Sequence, residues 1–252
     1  MEILEEVWRR ATSVQPVPPP AAVALAALTA LAAVLVPSLW RVTRLLVTIT
    51  HEGGHAFAAL VAGRRLRGIR LHSDTSGLTV SKGRAGGPGM VAMLAAGYLG
   101  PALVGLGAAL LLAAGRSLGL LWLLLFVSAL MLLQIRNAYG FVVIVGGGLL
   151  VFAITWYLSP TAQSAAAYLI TWLLLLAAPK PVLELMAQRR RGAAGHSDAD
   201  QLARLTSVPG LAWTLVFLVA NLAGLAVGVA VLLPDLAAVV LAGMDRLALT
   251  SR

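Results

Sequence analysis

His51, Glu52 and His55 stand together as HEGGH inside a strongly apolar stretch. Two histidines four residues apart share one face of a helix, so both imidazoles can reach a single Zn²⁺. The glutamate beside the first is placed to act on a water at that metal. Three polar side chains in lipid-like surroundings are costly, so the group calls for a purpose. A zinc peptidase cutting within or beside a membrane is the expectation, and a histidine pair making interhelical hydrogen bonds is the plainer alternative. Gly53 and Gly54 fill the variable positions and leave room for another helix or a substrate to approach closely.

A catalytic zinc site wants three protein ligands and one open position. HEGGH offers two. The chain has no Cys, which excludes thiolates, and the remaining candidates are His72, Asp74, Glu184, His196, Asp198 and Asp200. Asp198 and Asp200 lead into the last apolar segment. Their stretch also reads as a helix start: Ser197 with Asp200 three residues on resembles a capping box, and Asp198 would complement the helix dipole. Spacing alone leaves ligand and cap open, and one helix can do both.

The elements that must position these residues lie in a membrane. The 252 residues are 60% hydrophobic and 12% charged, with a mean hydropathy of +0.90. Soluble domains average roughly 45–50% apolar and about 25% charged. The expectation is one integral membrane domain over residues 1–252, all-α and polytopic. It would have six to seven transmembrane helices and a small β-hairpin after the HEGGH helix. Seven apolar segments are legible: Ala21–Trp40, Leu45–Val61, Met90–Ala114, Leu118–Ile135, Phe141–Leu158, Ala165–Ala178 and Leu211–Leu233, the second being marginal as a full span. Residues 1–20 read as an interfacial segment and proline-rich linker. Residues 234–252 read as an amphipathic tail, with Leu236, Val239, Val240, Met244 and Leu247 at helical spacing.

The net charge of +9 sits mainly in the gaps between segments, which points to topology and headgroup contact, and not to nucleic acid. Arg64, Arg65, Arg67, Arg70, Lys82 and Arg84 fill one gap; Lys180, Arg189, Arg190, Arg191 and Arg204 fill another. Both gaps are expected to face the cytoplasm, with Arg41, Arg44 and Arg116 opposite, the N-terminus inside and the C-terminus outside. Within Arg67–Ser81, Ile69, Leu71, Leu78 and Val80 alternate with polar residues around a turn at Asp74–Gly77, so a hairpin is expected, able to pair with an extended peptide. Gly97-Tyr98-Leu99-Gly100 offers a small-residue face toward the metal helix. Asn137 is read as able to hydrogen-bond a substrate backbone beside a snorkelling Arg136. Gly146-Gly147-Gly148 is read as a helix contact, and Arg189–Arg191 as facing anionic lipid.

Several of these stretches, in this order, carry a family resemblance. HEGGHAFAALVAGRRLRGIRLHSDTSGLTVSKG, then AGYLGPALVG, then HSDADQLARLT before a final span resemble the bacterial and plant M50B-like branch of the site-2-protease family. The likeness covers most of Thr48–Trp213. It implies an intramembrane zinc endopeptidase that cleaves membrane-anchored proteins; with the basic gaps and an Ala-, Arg-, Gly- and Leu-rich composition, the expectation is a bacterial plasma membrane with the active side toward the cytoplasm. It implies His51, His55 and Asp198 as zinc ligands and Glu52 as general base. Better-studied members carry an Asn–Pro-rich stretch ending in Leu-Asp-Gly where this chain has Ser197-Asp198-Ala199. The rival readings are a catalytically silent, zinc-binding membrane scaffold and a metal transporter. A transporter would place ionisable residues along several spans, and here the spans other than the HEGGH helix are nearly free of carboxylates.

Overall fold

The computed structural model describes residues 2–192, 195 and 197–238. In chain order these form α1 (Glu2–Thr12), α2 (Pro20–Leu35), α3 (Pro37–Val61), β1 (Arg65–Leu71), β2 (Gly77–Lys82), α4 (Pro88–Ala113), α5 (Ser117–Leu132), α6 (Ala138–Tyr157), α7 (Pro160–Ala177), α8 (Pro179–Arg190), α9 (Asp198–Thr206) and α10 (Gly210–Leu232). Proline opens α2, α3, α4, α7 and α8, where its missing N–H costs nothing. His196 and the tail positions Val239, Val240, Met244 and Leu247 lie outside the described residues.

The membrane-helix class and the hairpin are as expected, but the span count is lower. Among the described residues four helical units are long and apolar enough to cross a membrane: α4, α6, the continuous α7–α8 unit and α10. The pair α2 and α3 makes a fifth only if counted as one broken span. The expected span Ala21–Trp40 is cut short at Pro37, which cannot donate to the preceding turn, and α2 and α3 bend by 102° there; Leu45–Val61 does not qualify alone because α3 carries Arg41, Arg44, His51, Glu52 and His55. Helix α5, at 16 residues, is shorter than the roughly 20 residues of an ordinary span.

Helices α2, α4, α5, α7 and α10 share one core, in which Val23, Ala30, Ala109, Leu112, Leu121, Trp172 and Leu175 are buried together. Helix α3 lies against the first half of α4 at van der Waals contact of the backbones. A Cβ on Gly54 would sit 2.4 Å from the Ala96 carbonyl oxygen, and one on Gly100 would sit 2.7 Å from that of Thr50. By contrast, Gly146, Gly147 and Gly148 on α6 face open space. The expected helix contact there is absent among the described residues, because α6 packs through Gly140, Ile144 and Thr155 instead.

Both ends of α3 touch elements that gather at the hairpin end of the bundle. Near its start, Trp40 donates to Glu184 of α8 at 3.0 Å and Arg44 pairs with the same carboxylate at 2.7 Å. At its finish, Ala62 meets Gly89 at the start of α4. Helices α8, α9 and the first halves of α4 and α10 share a cluster of Leu94, Val182, Leu185, Ala199, Leu202 and Phe217 at that same end. The opposite end gathers α1, the start of α5 and the end of α10. There Gln15 accepts from Leu118 N at 3.0 Å, Arg10 lies over Trp156, and Leu233 joins Val23 and Leu118 in the core. The N-terminal helix and the end of α10 are therefore on the same side, where the sequence reading separated them. Arg41 and Arg44 belong to the hairpin end. The cause is again Pro37, where α3 turns 102° away from α2.

The hairpin pairs β1 with β2 antiparallel, from Arg65↔Lys82 to Leu71↔Gly77, with a bulge between Leu66 and Gly68. Gly68 adopts φ +142°, a conformation that side-chain-bearing residues avoid. Ile69 and Leu71 are buried against Met131, Ile135 and Ile144. A third segment covers the other edge of β1: Ile69 N donates to Gln134 O at 2.8 Å and Arg136 N to Ile69 O at 2.9 Å. Asn137 continues the pairing with its side chain, donating to Leu71 O at 2.6 Å and accepting from Leu71 N at 3.2 Å. Its amide is thus spent on the protein's own strand, and the expected substrate contact is corrected. The outer edge of β2 is the one left unpaired among the described residues.

Candidate metal centre

One turn of α3 and the first residue of α9 build the centre. His51 and His55 project from the same face of α3, as i and i+4 positions must. Asp198 reaches them because α9 buries Ala199 and Leu202 against Leu94, Val182 and Phe217, which seats the start of the helix over α3 and α4. Asp198 Oδ2 lies 3.2 Å from His51 Nε2 and 3.3 Å from His55 Nε2, and the two imidazole nitrogens are 3.0 Å apart. A tetrahedral zinc centre with bonds of about 2.0–2.1 Å has ligand atoms about 3.3–3.4 Å apart. The triangle of donors is close to that size, so the residues present fit the ion. Among the described residues this is the group found with metal-holding geometry.

The surroundings prepare the donors. His55 Nδ1 lies 2.7 Å from the Met93 carbonyl oxygen, which can only accept; Nδ1 therefore carries the proton and Nε2 presents its lone pair. Gly97 makes the space, because a Cβ there would sit 2.4 Å from His55 Nε2 and 2.7 Å from His51 Nε2. The small-residue face of α4 thus meets the histidines themselves. The Tyr98 ring meets His51 edge-on at 4.9 Å and stacks on Phe217 at 5.2 Å, which fixes the His51 ring. Without the ion the same centre takes up protons: burial works against a charge on Asp198, but a protonated His51 or His55 donating to it from Nε2 outweighs the burial and holds the carboxyl below the usual range.

Glu52 points to the other side of the same turn, toward the hairpin. It is 4% exposed. The Thr79 hydroxyl lies 2.6 Å from Glu52 Oε2, and a Cβ on Gly77 would stand 2.5 Å from Glu52 Cγ. Strand β2 therefore lies directly over this carboxylate. The turn before it is tied to α3 where Thr48 donates to Thr75 O at 2.7 Å.

Of the other candidates, Asp200 is committed elsewhere. Its Oδ2 accepts from Ser197 N at 3.0 Å and Oγ at 2.6 Å in a capping box, and its Oδ1 pairs with Arg189 at 2.5 Å. Burial opposes its ionisation, yet the bonds from Ser197 and Arg189 lower its pKa. Arg189 accordingly turns inward, away from the lipid expected for it. Glu184 holds Arg44 and Trp40, and Asp74 bonds Ser76 in the hairpin turn beside His72. Sequence reasoning missed Thr79, Gly77 and the Met93 carbonyl. The alternation that marks Leu78 and Val80 as one face of β2 also puts Gly77 and Thr79 on the other.

A family model described as Peptidase M50B-like matches residues 24–228. No curated protein and no solved structure matches the chain.

Proposed function

The chain belongs to the Peptidase M50B-like family of membrane metallopeptidases, and from that premise we propose that it is an intramembrane zinc endopeptidase acting on membrane-anchored proteins. The observation that carries this reading is the convergence of His51, His55 and Asp198 on one point, with Glu52 on the adjoining face of the same helical turn. His51, His55 and Asp198 would hold the ion, and the chemistry a Zn²⁺ supplies there is Lewis acidity toward a water and the scissile carbonyl.

Glu52 takes the proton of the attacking water and delivers it to the leaving amide nitrogen. Thr79 donates to Oε2, which leaves Oε1 for that water. An intrahelical carbonyl is shielded, so a helical substrate has to unwind before it is cut. The unpaired edge of β2 offers main-chain partners to the unwound segment and carries it past Glu52. The basic hairpin and the cations of α8 support a cytoplasmic position for this end of the bundle, in what we take to be a bacterial plasma membrane. The partners are a membrane-anchored protein and the bilayer, with no nucleic acid.

Glu52→Gln tests the reading. Purified variant is expected to retain wild-type zinc content and to lose cleavage of membrane substrates, seen by comparing membrane proteomes of cells carrying either form. Full turnover by the variant would remove Glu52 from its role.

A further inference from the structure

Asp198 is the first residue of a nine-residue helix, too short to be stable by itself. Something other than local helix formation must hold its start in place. Arg189, in the last turn of α8, reaches across to do this. Its Nη2 pairs with Asp200 Oδ1 at 2.5 Å and donates to Ser197 Oγ at 3.2 Å. Asp200 and Ser197 are the two halves of the capping box that brackets Asp198. Gly210, opening α10, leaves the room: a Cβ there would lie 3.0 Å from Arg189 Nη2 and 3.1 Å from Asp200 Oδ1.

The arrangement is costly. Arg189 Nε is buried without a hydrogen-bond partner among the described residues, and a largely buried ion pair adds little net stability against its desolvation. A cap on α9 alone would not need it, because the capping box already satisfies the helix start. What the guanidinium adds is a rigid, planar link from α8 to the residues on either side of Asp198.

We infer that Arg189 is a positioning residue: through Asp200 and Ser197 it sets the place of Asp198 relative to His51 and His55, and so the affinity of the centre for zinc. The inference rests on the metal-centre reading given above. Outer partners of this kind typically govern metal affinity by roughly 10–100-fold.

The test is zinc affinity of the full-length, detergent-solubilised protein, measured with Zn²⁺ alone by chelator competition, beside the melting temperature of the metal-free form. Arg189→Met, which keeps the aliphatic stem, is expected to weaken Zn²⁺ binding roughly 10–100-fold with little change in metal-free melting. Arg189→Lys should recover part of the loss. Asp200→Asn should weaken binding too, and the double variant should be no worse than the weaker single one. Arg44→Met breaks an ion pair at the same end of the bundle that does not touch α9, and should leave zinc affinity unchanged. Wild-type affinity in Arg189→Met, or an equal loss in Arg44→Met, overturns the assignment while the metal centre stands. A wild-type protein that does not bind Zn²⁺ overturns both.

Discussion

Gly97 is where the centre has least room. A methyl group there would stand 2.4 Å from His55 Nε2, and the nearest relief is to turn an imidazole away. Overpacking of this kind costs about 1–3 kcal/mol, which spent at the ligands is roughly 5- to 150-fold in affinity. Gly97→Ala is therefore expected to fold with unchanged helix content by circular dichroism and to lose zinc on gel filtration; full zinc content would show that the rings tolerate the methyl. At this scale the sequence was partly legible. His51, Glu52 and His55 declare themselves because a helix fixes the i, i+4 relation. Asp198 could be singled out only by resemblance, since its approach depends on where Ala199 and Leu202 find their burial. The Met93 carbonyl was not legible at all, because every residue has one.

At the scale of elements, the α3–α4 crossing is the joint that matters. Gly54→Ala would press a methyl to 2.4 Å from the Ala96 carbonyl oxygen, at a cost of about 1–3 kcal/mol. Gly147→Ala meets nothing within contact range and should be neutral or stabilising by up to about 1 kcal/mol. Thermal unfolding in detergent compares the two, and equal melting temperatures would mean that the crossing is looser than its geometry. The hairpin could be read from the alternation of Ile69 and Leu71 with polar neighbours. The third segment at Gln134–Asn137 could not, since a few residues paired through two main-chain bonds and one side chain carry no periodicity. Pro37 falls near the end of the apolar segment Ala21–Trp40, where a proline is compatible with the end of a span. Whether a proline terminates a helix or folds it back is decided by what the following helix packs on, here Glu184 and α4.

At the scale of the molecule, the testable statement is topological. The chain has no cysteine, so single cysteines can be placed and labelled cleanly. Thr12→Cys and Asp235→Cys are expected to react from the same side of the membrane, and Ser73→Cys, in the hairpin turn, from the other. Labelling of Thr12→Cys and Asp235→Cys from opposite sides would restore an odd number of crossings. Charge counting alone did not reach this arrangement because Arg41 and Arg44 sit between two apolar stretches that look like separate spans, and only the bend brings them to the hairpin end.

Helix α5 has one more consequence. Its 16 residues span about 24 Å at 1.5 Å per residue, some 6 Å less than a hydrocarbon core of about 30 Å. Phe126, Val127 and Leu130 on it face outward, so a bilayer that follows its length would be thinned beside the helix whose end packs on the hairpin. A transmembrane segment of ordinary length drawn alongside α5 is too long for the membrane it finds there by about one helical turn. That turn stands among headgroups and water, where its backbone hydrogen bonds are contested before it reaches β2. On the proposed function, part of the work of opening a substrate helix would be done by the mismatch between protein and lipid.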